Sequence, residues 1–211
     1  MGILTFSHPH CSSSGIVTPV YYKIARVPYE TMMQYVETDA NSRNSWCLAH
    51  FQCKNYGKKC CCPPKIPTFN RLKQRKFVYL IAGMIRHEEY CQSYPKMQNR
   101  AFLQMRNIQA MLGTITGKIT DSIYQKGDQL FRFGPCKSSK CDQTGHCTKE
   151  RMKPPLEATG VEVCRLCEDL LGIEFDWHKR EDPAQTMHGI AAIYTDRALK
   201  KEDFRRIIHE I

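Results

Sequence analysis

The chain of 211 residues lacks any hydrophobic segment long enough to span a lipid bilayer. Its longest apolar run, FVYLIAGMI at 77–85, is less than half of the roughly 20 residues that a transmembrane helix needs. The N-terminal residues MGILTFSHPH also lack the basic and apolar regions of a secretory signal peptide. From these two absences we expect a cytoplasmic protein that has no membrane partner.

Several familiar catalytic signatures are absent as well. The chain has no Gly-rich phosphate-binding loop, no HExxH zinc-peptidase motif and no GxSxG nucleophile elbow. Acidic residues are missing from residues 40–87, which contain ten Lys or Arg residues in a chain of net charge +10. A basic stretch of this kind favours an anionic partner, such as a metal–thiolate cluster, an acidic protein or a nucleic acid.

Cysteine, by contrast, is abundant and clustered. Most of the 12 cysteines lie in two polar loops without hydrophobic periodicity, the first with Cys47, Cys53, Cys60, Cys61 and Cys62 and the second with Cys136, Cys141 and Cys147. In a reducing compartment, clustered cysteines more often bind metal or take part in catalysis than form disulfides. Thiolates are soft ligands that select zinc, copper(I) or iron–sulfur clusters.

The spacing of these cysteines leaves two kinds of metal centre open. Structural zinc usually binds to tight knuckles with about two to four residues between the cysteines. Here five residues separate Cys47 from Cys53, and eight separate Cys53 from Cys62. Wide loops favour a larger object such as a four-iron cluster, and the Cys62-Pro63-Pro64 ending is similar to the Cys-Pro that closes bacterial ferredoxin motifs. We therefore favour an iron–sulfur cluster, with zinc as the alternative.

The same segments carry a family resemblance. The boxes CKNYGKKCCCPP at 53–64 and GPCKSSKCDQTGHC at 134–147 are followed by KPPLEATGVEV at 153–163. In this combination they resemble the uncharacterised predicted metal-binding family, a domain of unknown function found mainly in anaerobic bacteria and archaea. The resemblance covers about residues 40–195 and implies metal binding, through an iron–sulfur cluster, without implying a reaction.

The resemblance also implies a ligand set. The cysteines that match the two boxes as metal ligands are Cys47, Cys53, Cys62, Cys136, Cys141 and Cys147, of which Cys47 matches less closely. Of these, a [4Fe–4S] cluster would take Cys53, Cys62, Cys136 and Cys141. Because one cluster needs about four thiolates, the extra cysteines either form a second cluster or remain spare thiols.

The chain departs from the family pattern at two places. Ser138 and Ser139 stand where the family often has a further cysteine, and Cys60 and Cys61 stand where it has packing residues. Cys60 and Cys61 are therefore either small buried hydrophobic residues or thiols with a metal or redox role. A separate pair at 164 and 167, CRLC, fits a helical core stripe, with a supplementary ligand role as the alternative.

Hydrophobic periodicity predicts an α/β or α+β sandwich, a mixed sheet with packed helices and two cysteine-rich loops. We expect strands at 20–27, 77–85, 129–133, 173–177 and 189–195, and helices at 29–37, from after residue 95 to about 123, at 153–172 and from about 196. The expected organisation is a flexible N-terminal arm at 1–19, a metal-binding domain at 20–195 and a closing amphipathic helix at 196–211.

Three functions follow from these patterns. The first is a redox or sulfur-transfer protein that acts through the cluster, an iron–sulfur-dependent oxidoreductase or sulfurtransferase if it is catalytic, with an acidic redox or sulfur-acceptor protein as partner. The second is a zinc-stabilised binding module without chemistry. The third and least favoured is a tRNA-modification accessory that binds RNA through its basic stretch.

Overall fold

The computed structural model describes residues 2–12, 15–39, 41–42, 55–97, 101–134, 153–175 and 184–211. Its centre is a five-stranded sheet in the order β1-β2-β3-β5-β4. The strands are β1 (Ile3–Cys11), β2 (Val17–Pro28), β3 (Phe77–Arg86), β4 (Gln129–Phe131) and β5 (Thr186–Thr195). All four pairings between these strands are antiparallel.

Five α-helices accompany this sheet in the described part of the chain. They are α1 (Tyr29–Met33), α2 (His87–Ser93), α3 (Ala101–Ile123), α4 (Val163–Leu171) and α5 (Lys201–Glu210). The predicted sheet with packed helices is confirmed, and of the two classes considered the fold is α+β. The described strands pair only in the antiparallel direction, where the sequence led us to expect a mixed sheet. Alternation of strands and helices does not fix strand direction, which depends on the end of the sheet to which each connection returns. Among the described helices, none combines the length and the apolar character needed to cross a membrane.

The sheet separates two hydrophobic cores, because successive residues of a strand face opposite sides. On the first face, helices α3 and α5 cover the strands, and the predicted stripe of α3 is confirmed by the buried residues Ile108, Leu112, Ile115, Ile119 and Ile123. On the second face, the strands pack against α1, α4 and the chain around Phe69. The first core is closed by regular helices, whereas the second lies beside the cysteine-rich segments.

A pair of glycines allows α3 to lie directly on the sheet. Gly83 of β3 and Gly189 of β5 are cross-strand partners. A Cβ atom at Gly189 would lie 2.8 Å from the Cβ of Leu112, and one at Gly83 would lie 3.0 Å from Cγ2 of Thr116. Any side chain at Gly189 would therefore push the helix away from the sheet.

Three sequence predictions differ from the structure. The N-terminal arm is not free, because residues 3–11 form the edge strand β1, which pairs with β2 along its whole length. Leu4 and Phe6 pack against the first core from this strand, but the intervening Ser, Thr, His and Pro residues weaken the alternating pattern in the sequence.

The helix predicted at 153–172 begins only at Val163. A short 3-10 turn at Glu157–Thr159 is ended by Gly160, whose φ of 91° lies in the left-handed region and interrupts the helical path. Gly172, with φ of 57°, ends α4 as predicted. The strand predicted at 173–177 is not formed by residues 173–175, and residues 176 and 177 lie outside the described part of the chain.

Candidate metal centre

Of the predicted metal ligands, Cys62 lies in the described part of the chain. The other five, Cys47, Cys53, Cys136, Cys141 and Cys147, lie outside the described residues. The described part of the site consists of Cys62, its neighbours and the chain segments that lead into and out of each cysteine-rich loop.

The three consecutive cysteines are buried together in a compact turn. Cys60, Cys61 and Cys62 are 5%, 1% and 5% exposed and form one cluster. The turn is closed by the Gly57 N–H, which donates to the Pro63 carbonyl oxygen at 2.8 Å. Gly57 has a φ of 69°, a conformation that favours glycine, and the Pro63–Pro64 peptide bond is cis. The YGK and CPP motifs thus shape the turn that holds Cys62 in the interior.

The start of the first loop is hydrogen-bonded to the end of the second. Glu37 N–H donates to the Gly160 carbonyl at 2.7 Å, and Glu162 N–H donates to the Tyr35 carbonyl at 2.8 Å. Between these two bonds Val36 and Val161 form an isolated antiparallel bridge. Residues 35–37 precede the first cysteine-rich loop and residues 160–162 follow the second, so these two segments form one short β-ladder.

The end of the first loop packs against the start of the second. Phe69 follows the CPP turn, and its ring centroid lies 5.8 Å from that of Phe131 and 5.0 Å from that of Tyr194. All three rings are completely buried. Phe131 is the last residue of β4, after which the chain runs through Gly134 towards Cys136.

A backbone hydrogen bond also joins the two ends of the second loop. Arg132 N–H donates to the Pro154 carbonyl at 3.1 Å, so the residues before and after the loop are neighbours in space. We call the four segments 35–37, 69–72, 131–134 and 153–162 the loop stems. Hydrogen bonds or ring contacts join each of them to another, so both cysteine-rich loops start and end at one side of the second core.

Glu157, which follows the second loop, interacts with the cysteine turn. The residue as a whole is exposed, but the protein atoms around its carboxylate keep water away from the charge, and this desolvation raises the pKa of Glu157 to about 7. Cys61 contributes a smaller electrostatic interaction of the same sign. The turn at 55–66 and the stem at 153–162 therefore lie close enough to influence each other's charge.

Helix α4 brings the CRLC pair near the same place. Burial raises the pKa of the Cys167 thiol to about 12, with further contributions from Cys164 and Glu157. The pKa of Cys164 is raised by burial and then by Glu157. A reactive CxxC pair has a lowered thiol pKa, so these shifts argue against a redox pair here. Cys167 is fully buried with Leu171, as the core prediction requires, but Cys164 is exposed and does not belong to that stripe.

A complete metal site is not formed by the described residues alone. Within residues 2–12, 15–39, 41–42, 55–97, 101–134, 153–175 and 184–211, no group of three His, Cys, Asp or Glu side chains is arranged to hold a metal ion. A centre with four protein ligands that includes Cys62 would therefore take at least some of them from residues outside these ranges.

A family model described as Predicted metal-binding protein (DUF2284) matches residues 33–193. The chain belongs to this family. The match begins two residues before the first loop stem and contains both cysteine-rich loops and all four stems. No curated protein and no solved structure matches the chain.

Sequence reasoning missed the stems of this DUF2284 protein. Val36 and Val161 form a bridge too short to give a strand pattern, and the two phenylalanines look like ordinary core residues in the sequence. The family boxes marked the cysteines, but the contacts that gather the loops come from residues between and beside the boxes.

Proposed function

We propose that this protein binds a [4Fe–4S] cluster through thiolates from both cysteine-rich loops and uses it in electron or sulfur transfer. The observation that carries the proposal is the convergence of the four loop stems. Two segments far apart in sequence can share one inorganic centre only if the fold brings them close together. The Phe69–Phe131 contact and the bridge between Val36 and Val161 meet that requirement.

The donor set fits an iron–sulfur cluster. In this proposal the cluster is held by Cys53, Cys62, Cys136 and Cys141, with Cys47 and Cys147 as ligands of a second cluster or as spare thiols. Cys62 is buried beside two further cysteines. A buried thiolate is unfavourable without a compensating charge, which a bound metal supplies.

The surface around the cysteine turn supports an acidic partner. Lys58, Lys65, Arg71 and Lys73 are all exposed. Among the described residues, Lys58, Arg71 and Lys73 form no ion pair with a carboxylate. Unpaired cations next to a redox centre would attract an acidic electron-transfer or sulfur-acceptor protein and speed its association.

Anaerobic purification followed by metal and sulfide analysis tests the proposal. The full chain should be brown and should contain iron and labile sulfide in stoichiometric amounts, and Cys62→Ser should lose most of both. Cys11→Ser is the matched control, because Cys11 is an exposed thiol on the edge strand and should not affect the cluster. A colourless protein with stoichiometric zinc would instead support the zinc-stabilised binding module and overturn the iron–sulfur proposal.

A further inference from the structure

On the first face of the sheet, away from the loop stems, three side chains form a closed set of contacts. Cys91 of α2 places its Sγ 3.6 Å from Nε2 and 4.0 Å from Nδ1 of His87. Gln104 of α3 donates from its Nε2 to Sγ of Cys91 at 3.4 Å. The Oε1 of the same amide lies 2.7 Å from Nε2 of His87.

This arrangement selects one tautomer of the histidine. An amide oxygen can only accept a hydrogen bond, so Nε2 of His87 carries the proton that is donated to Gln104. The lone pair is then on Nδ1, which lies 4.0 Å from the Cys91 sulfur, slightly farther than the protonated Nε2 at 3.6 Å. Gln104 is 1% exposed, and a buried amide bonded at both ends holds the imidazole in place.

The set therefore contains the three parts of an assisted thiol nucleophile: a nucleophile, a base and a group that orients the base. Cys91 and His87 are both half-buried, so both residues are partly open to solvent and partly shielded from it. The three residues lie on α2 and α3, the helices beside the first core, and not on the loops that carry the proposed metal ligands.

We propose that Cys91 is a nucleophilic thiol that exchanges with small disulfides, with His87 as its base and Gln104 as the residue that positions the base. In this step Sγ of Cys91 attacks one sulfur of the disulfide, a new S–S bond forms and the original S–S bond breaks. The thiol proton passes to Nδ1 of His87 and then to the departing thiolate. The products are a mixed disulfide on Cys91 and one small thiol.

Assistance by His87 matters because the thiol is not already ionised. Burial raises the pKa of Cys91, so the resting group is a neutral thiol. Without a base, its reaction rate would rise about tenfold for each pH unit, in step with the thiolate fraction. With His87 as base, the rate no longer follows the thiolate fraction alone.

To test this, the full chain is purified anaerobically and treated with hydroxyethyl disulfide. Peptide-resolved mass spectrometry then measures the rate at which each cysteine is modified. We expect His87→Asn to slow modification of Cys91 by roughly tenfold to a hundredfold, and Gln104→Leu to slow it by a smaller factor. Cys11, an exposed thiol on β1, is the internal control and should react at the same rate in all variants. Free imidazole in the buffer should partly restore the rate of His87→Ala.

A purely structural role for His87 gives the opposite result. Loss of the imidazole would then loosen α2 and leave the rate at Cys91 unchanged or higher, which would overturn the proposal. If the variants do not fold, the pH profile of the unmodified protein still decides. A rate that rises clearly less than tenfold per pH unit while the thiol is still neutral supports the base, and a rate that rises about tenfold per pH unit refutes it.

Discussion

Replacing Phe69 by leucine should weaken metal retention more than it weakens the fold. The ring of Phe69 contacts those of Phe131 and Tyr194 and connects the end of the first cysteine-rich loop to the start of the second. Leucine keeps the site apolar but removes both ring contacts, each of which contributes about 0.5–1.5 kcal/mol. Together with about 1 kcal/mol for the incompletely filled space, the free energy of unfolding should fall by about 2–4 kcal/mol.

The first core offers a matched control. Phe204 on α5 is also fully buried, but it lies on the other face of the sheet from Phe69. Its ring centroid is 5.7 Å from that of Tyr79, which belongs to the same core. Phe204→Leu should reduce the free energy of unfolding by about 1.5–2.5 kcal/mol through the same loss of ring packing and volume. In the described part of the chain, α5 packs in the first core, whereas the buried residues of the loop stems belong to the second core, so this change should leave the metal centre intact.

The assay compares the rate at which a chelator removes the bound metal from each variant, at a temperature where circular dichroism shows all of them folded. If the contacts between the stems hold the metal ligands together, a loss of about 1.4 kcal/mol in those contacts weakens the affinity for the metal about tenfold. We therefore expect Phe69→Leu to lose metal about ten times faster than the unmodified protein, and Phe204→Leu to lose it at the unmodified rate. Equal rates in the two variants would refute the idea that the stems gather the metal ligands.

Two further predictions concern the fold. Gly189→Ala should lower the free energy of unfolding by about 1–3 kcal/mol in urea denaturation, because the new Cβ would meet α3 at 2.8 Å. Gly117→Ala in the same helix meets nothing within 4 Å and should instead raise it by about 0.5–1 kcal/mol, so a loss of stability there would contradict the packing argument. Burial, then Lys118 and His8, lowers the pKa of His10 below its usual 6.5, so below that pH the unfolded chain binds the proton more readily and the folded state loses stability. As the pH is lowered from 6.5, the free energy of unfolding of His10→Gln should decrease less steeply than that of the unmodified protein. An unchanged pH dependence would show that His10 is not responsible.

The sequence predicted those parts of the fold in which many residues share one pattern. The strand at 77–85 is continuously apolar because β3 lies in the middle of the sheet and is buried on both faces. The stripe of α3 repeats every three or four residues over the 16 positions from Ile108 to Ile123, a period that is typical of a helix and not of a strand. In both cases local chemistry and tertiary burial act in the same direction.

Elements that depend on a distant partner were not predictable in this way. β1 has only an alternating, partly polar pattern, and its pairing with β2 is what makes it a strand. The helix expected at 153–172 fails at Gly160, where a left-handed φ lets the chain turn and pair with residues 35–37. Hydrophobic periodicity does not contain this information, because the pairing joins positions more than a hundred residues apart.

For the candidate site, the sequence indicated the cysteines and the family, but not the contacts that surround them. The cysteine boxes and the family membership came from residue type and spacing alone, and the burial of Cys60, Cys61 and Cys62 fits either of the roles considered for the first two. The Cys91, His87 and Gln104 set escaped notice, because α2 and α3 bring Gln104 to the other two only in the folded chain. An i, i+4 spacing of His and Cys at 87 and 91 was the one local hint.

The hydrogen bond between Arg132 and Pro154 has a consequence for how such a protein can diversify. These two positions meet at 3.1 Å, although 21 residues separate them in the sequence. Doubling the length of such a connection costs only about 0.6 kcal/mol in closure entropy. The residues between 132 and 154 are therefore a place where a change in the number or type of metal-donor residues should cost the described fold little stability.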